Sequence, residues 1–167
     1  MEASSSRFGL VRRLGSLLDF AASSHARAIL LLIAFSMLCL LQGIRALPPT
    51  NRDESRYAQA TRQMLETGDY VDIRFQDAPR YRKPVGIYWL QVASVVAAEK
   101  LGFQNAQQRI VFYRIPSFLS ALGSVLLVYW TALVLMRRRY AFIAALAFAG
   151  SLILGVAARI ATIDAAL

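Results

Sequence analysis

Apolar and polar positions fall in long blocks along this chain. Three runs, 28–47, 115–136 and 140–161, are apolar almost throughout. About 20 helical residues at 1.5 Å each cross a bilayer core of roughly 30 Å, so each run predicts a transmembrane helix. A basic stretch, 1–27, precedes the first run. Leu10, Val11, Leu14, Leu17 and Leu18 repeat there at helical spacing, which predicts a short surface helix. A cleaved signal peptide is the competing reading of 28–47. The length of the run and Arg45, standing where small cleavage-site residues belong, argue against it. Arg45 can snorkel to the interface, and Pro48 and Pro49 stop the helix.

The polar block 48–114 separates the first two runs. Residues 54–66 predict an amphipathic helix with Tyr57, Ala60, Thr61, Met64 and Leu65 on one face. Thr67-Gly68-Asp69 ends it, 70–75 reads as extended, and Asp77-Ala78-Pro79 is a turn. Residues 84–101 predict a second helix opening on Pro84. Its apolar stretch is short and contains Gln91 and Ser94. Parity assigns it to the membrane surface: Arg137, Arg138 and Arg139 after the second span should be cytoplasmic, as should the basic N-terminus. The expected fold is therefore an all-α integral membrane protein with about three transmembrane helices. An outer loop, 48–114, carries two juxtamembrane helices, 137–139 is a cytoplasmic turn, and 162–167 begins a second outer loop. Three spans bury little helix–helix surface, so the chain is expected to be a fragment of a larger membrane protein. The location predicted is a bacterial inner membrane, multi-pass, with the N-terminus cytoplasmic.

Composition sharpens this picture. The chain of 167 residues is 57% hydrophobic, above the 45–50% usual for soluble domains. The net charge of +9 first suggests nucleic acid, but the arginines cluster at the ends of apolar blocks. That placement suits membrane topology and anionic head groups, and no nucleic-acid partner is expected. Cys39 is the single cysteine, which excludes an intrachain disulfide, and the single histidine, His25, excludes a multi-histidine metal site.

The polar block holds the candidate chemistry. Asp53-Glu54 is an acidic pair directly after the Pro-Pro stop; alone, such a pair suits the start of a helix. The topology brings Asp164, after the third span, to the same outer face, and an acid near membrane depth points to function. Arg80, Arg82 and Lys83 precede the surface helix. They can bind anionic head groups or the phosphate of a lipid carrier.

The segments R-D-E-S-R-Y-A-Q-A-T-R-Q-M-L-E-T-G-D-Y and R-Y-R-K-P-V-G-I-Y-W-L resemble the first outer loop of polyprenyl-phosphate-sugar glycosyltransferases. The nearest branch is the lipid A 4-amino-4-deoxy-L-arabinose transferase group, within a wider set resembling protein O-mannosyltransferases. R-I-A-T-I-D-A-A-L resembles that family's second acidic motif, so the resemblance covers about 48–167. Thr67 and Tyr70 replace the usual Ser and Trp, and Arg82 replaces the usual acid before Lys83-Pro84. The resemblance implies transfer of a sugar from a polyprenyl-phosphate donor to a lipid or protein acceptor outside the membrane. It makes Asp53 or Glu54 the base or acceptor-positioning acid, and Asp164 part of the acidic side. It also makes Lys83, with Arg56 and Arg82, the lipid-phosphate contact. Some members of the family bind a divalent metal; no ligand set is readable here. The fragment alone is expected to be inactive. A non-catalytic membrane scaffold or lipid-binding subunit is the rival reading. A transporter would want ionisable residues near the middle of its spans, and the runs as drawn have none.

Overall fold

The computed structural model describes residues 15–44, 52–80 and 84–161. They are mostly helical: α1 (Gly15–Ala21), α2 (His25–Leu40), α3 (Arg52–Thr67), α4 (Gly86–Lys100), α5 (Ile110–Leu135), α6 (Arg138–Ala149) and α7 (Leu152–Arg159). A two-stranded hairpin, β1 (Arg74–Phe75) and β2 (Ala78–Pro79), lies between α3 and α4. Among the described residues, α5 is the one helix long and apolar enough to cross a membrane by itself. The α1–α2 pair bends by 109° and the α6–α7 pair by 57°; three spans result if each pair counts as one. The run 140–161 is thus broken rather than continuous. The break falls at Gly150, whose N–H closes α6 on the Leu146 carbonyl. Glycine, with its poor helix propensity, allows the chain to turn there.

The chain divides into two compact units, Met1–Leu38 with Leu122–Ser151 and Cys39–Ala121 with Leu152–Leu167. In the first, α2 buries Ala28, Leu32 and Ser36, and α6 buries Ala141, Ala145 and Ala149. Both stripes repeat every fourth residue and are rich in small side chains, the pattern that lets membrane helices approach closely. Leu30, Leu31, Leu127, Val134 and Leu135 point outward, as a lipid-facing surface requires. At one end of this unit Arg138 Nη1 donates to the carbonyls of Ala22 (3.2 Å) and Ser23 (2.8 Å). Arg139 pairs with Asp19 at 3.0 Å beside it.

In the second unit α3 packs on α4 through Tyr57, Ala60, Met64, Ile87 and Tyr88, with Ile73 from the loop between them. Of the stripe read from the sequence, Tyr57, Ala60, Thr61 and Met64 are buried, and Leu65 is half-buried against a second cluster around Val95, Ala106 and Tyr113. Gly68, at φ +72°, closes α3 in the left-handed conformation that glycine adopts without strain. Gln63 then grips the hairpin turn from both sides. Its Nε2 donates to the Gln76 carbonyl at 2.9 Å, and its Oε1 accepts the Gln76 N–H at 3.0 Å. Pro116 lies inside α5 and has no N–H to donate. The carbonyl of Phe112, four residues earlier, receives the Ser94 hydroxyl of α4 instead.

Candidate functional site

The helix α5 begins at Ile110, five residues before the run from which a span was expected. That extension places Arg114 inside the helix, where its side chain is 1% exposed. A buried guanidinium must find an anion and satisfy its remaining donors. It does both here. Nε donates to Glu54 Oε1 at 2.7 Å and Nη2 to Glu54 Oε2 at 3.1 Å, a two-pronged pair; Nη1 donates to the Ile44 carbonyl at 2.7 Å. Glu54 is itself fully buried. Its Oε1 accepts one further bond, from the backbone N–H of Ala161 at 3.0 Å. A single carboxylate thus ties the first turn of α3 to α5 and to the chain emerging from α7. Through Arg114 it also reaches the turn after α2.

The acidic pair Asp53-Glu54 is therefore split by its surroundings. Glu54 faces inward and its oxygens are taken by donors. Asp53, one residue earlier, keeps a side chain 58% exposed. Arg56 stands 3.9 Å from it and is about one-third exposed. Both lie in the first turns of α3, whose positive dipole end favours the carboxylate. Of the other site residues expected from the sequence, Arg82, Lys83 and Asp164 lie outside the described residues. Arg80, three residues before Lys83, is described. Its Nε donates to the Tyr88 hydroxyl at 3.1 Å, and its guanidinium sits 5.5 Å over the Tyr57 ring. The aromatic pair that seals α3 against α4 thus also braces a cation.

Arg114 lies one residue before the expected span 115–136, which is why the hydropathy pattern does not mark it as a site residue. Its signal was present: an arginine at the start of a strongly apolar helix needs a partner. Among the described residues, no group of three or more His, Cys, Asp or Glu side chains could hold a metal ion. Beyond the acidic pair, Asp69 Oδ1 accepts the N–H groups of Val71 and Asp72, both at 3.0 Å. The bonds from Asp72 and then Val71 hold its pKa below the ordinary carboxylate value.

The chain is similar to bacterial arabinosyl transferases that use an undecaprenyl phosphate. It is 36% identical over 126 residues to the undecaprenyl phosphate-alpha-4-amino-4-deoxy-L-arabinose arabinosyl transferase of Pectobacterium carotovorum, which covers 75% of this chain and 21% of that protein. The proteins of the same name from Yersinia pestis and Yersinia pseudotuberculosis are 34% identical over 114 residues, 65% of this chain and 18% of theirs. The chain thus spans about a fifth of the length of the curated relatives it matches. These matches support a polyprenyl-phosphate glycosyltransferase family. No family model matches the chain. No solved structure matches it.

Proposed function

We propose that this chain forms the donor-side part of an integral-membrane glycosyltransferase. In this reading a sugar is moved from a polyprenyl-phosphate carrier to a lipid or protein acceptor on the outer face of a bacterial inner membrane. The relatives' names, with their undecaprenyl phosphate donor and arabinosyl transfer, support this reading, and a pentose is the first sugar to test. The observation that carries it is the first turn of α3. A buried carboxylate anchors that turn to three other segments, and an exposed carboxylate and an arginine stand beside it.

The roles divide accordingly. Asp53 is the base. It accepts the proton of the acceptor hydroxyl as that oxygen attacks the anomeric carbon, and the carbon–oxygen bond to the lipid phosphate breaks. Glu54 acts through position: it fixes the turn that carries Asp53. Arg56, Arg82 and Lys83 stabilise the charge growing on the leaving phosphate. Asp164, three positions after Ala161 in the chain, adds the second acid. A divalent metal, if one takes part, would be held by these acids. The contacts of Arg138 and Arg139 with residues 19–23 put two basic segments at one end of their unit, which favours a cytoplasmic side for both. In the full-length enzyme, Lys83→Ala should raise the dissociation constant for undecaprenyl phosphate at least tenfold. Unchanged binding would remove Lys83 from the phosphate site.

A further inference from the structure

The backbone of Ala161 is held on both of its polar sides. Glu54 Oε1 takes its N–H. On the other side, Nε2 of Gln91 lies 3.5 Å from its carbonyl oxygen, at the long end of hydrogen-bond range. Gln91 belongs to α4 and is fully buried, as are Ala161 and Thr61. The Thr61 hydroxyl of α3 donates to Gln91 Oε1 at 2.6 Å.

The chemistry of the four groups permits only this arrangement. A peptide N–H can only donate, and Glu54 offers an acceptor. A peptide carbonyl can only accept, so the amide nitrogen of Gln91 must face it. That orientation leaves Oε1 of Gln91 for Thr61, whose hydroxyl can donate. Ala161 lies just past α7, where the helix no longer supplies partners for these groups. In a buried setting an unpaired peptide group carries a heavy penalty. The buried side chains therefore do what the helix cannot. They hold one irregular residue against two helices.

We infer that Gln91 and Thr61 are positioning residues: they hold Ala161 from its carbonyl side while Glu54 holds its N–H, and so they keep the chain just past α7 docked beside the turn of α3 that carries Asp53. This rests on the transferase reading above, and it adds α4 to the machinery, with a residue that touches no substrate. The clamp predicts which changes matter. Gln91→Met keeps length and loses the donor. Gln91→Glu keeps shape but turns a donor into an acceptor facing a carbonyl. Thr61→Val keeps shape and frees the amide to rotate, whereas Thr61→Ser keeps the hydroxyl.

The test uses the full-length enzyme in lipid nanodiscs with an undecaprenyl-phosphate sugar donor. Gln91→Met and Thr61→Val should each lower kcat at least tenfold with KM for the donor changed less than threefold. Thr61→Ser should restore kcat to within threefold. Hydrogen exchange, which is independent of turnover, should show the Ala161 amide of Gln91→Met exchanging at least tenfold faster than in the unaltered enzyme. Unaltered exchange there, or wild-type kcat in both variants, overturns the clamp. Asp53→Asn, run beside them, separates the two ideas. If it abolishes transfer while the clamp variants turn over normally, the clamp is wrong and the transferase reading stands. If it leaves transfer intact, the reading itself has failed.

Discussion

Two arginine junctions, one in each unit, show how much burial changes what the same side chain does. Arg139 pairs with Asp19 at 3.0 Å, and both are largely exposed, at 42% and 64%. Arg114 pairs with Glu54 at 2.7 Å, and both are buried. By distance alone the two differ little. In water the first pair is screened and worth about 0–1 kcal/mol. The second has lost its hydration, so each partner depends on the other and on the Ile44 carbonyl and Ala161 N–H around it. One junction is a basic end that can orient a protein in a membrane. The other is a fixed point around which four segments are arranged.

The comparison breaks most readily at the buried junction. Arg114→Met should destabilise the protein by about 3–5 kcal/mol, because it leaves the Glu54 carboxylate buried without its cation. Adding Glu54→Gln should recover part of that loss, and thermal midpoints of both single variants and the double would measure the coupling. Additive losses would mean that the pair is not coupled. Next in size is the hairpin clamp. Gln63→Ala removes two exposed hydrogen bonds to Gln76 and should cost about 1–2 kcal/mol locally, read as faster amide exchange over 74–79. At the exposed junction Asp19→Asn should shift stability by less than about 1 kcal/mol, and by less still in high salt. A loss as large as that of Arg114→Met would erase the distinction drawn between the two junctions.

The smallest effect concerns pH. Asp69 has a depressed pKa in the folded protein, so its charged form stabilises the turn above the ordinary carboxyl value of about 3.9. That contribution is lost as pH falls through the lower folded value. The Trp89 indole donates to the Tyr70 carbonyl at 2.8 Å beside this turn. A step in Trp89 fluorescence, with Trp130 replaced by Phe, should appear below about pH 4 and vanish in Asp69→Asn.

How much of this was legible in the sequence depended on whether a feature was periodic or a meeting of distant groups. The α3 stripe of Tyr57, Ala60, Thr61 and Met64 was readable because its spacing is that of a helix. Glu54 falls on the same stripe, three residues before Tyr57 and seven before Thr61, so its inward direction was also available. What the sequence could not separate was Glu54 from Asp53 in chemical role. That division depends on Arg114, sixty residues away. Ala161 was beyond reach altogether, since its contribution is a backbone N–H and a carbonyl that any residue would carry. The break at Gly150 was marked only by a glycine inside an apolar run, a signal that membrane helices often tolerate.

The most direct test is sugar transfer by full-length Asp53→Asn, measured with its thermal midpoint. The account predicts a fall in kcat of roughly a hundredfold or more, the scale of losing a general base, with the midpoint within a degree or two of the unaltered protein. Wild-type turnover in that variant would contradict the account, leaving the first turn of α3 a structural junction and no more.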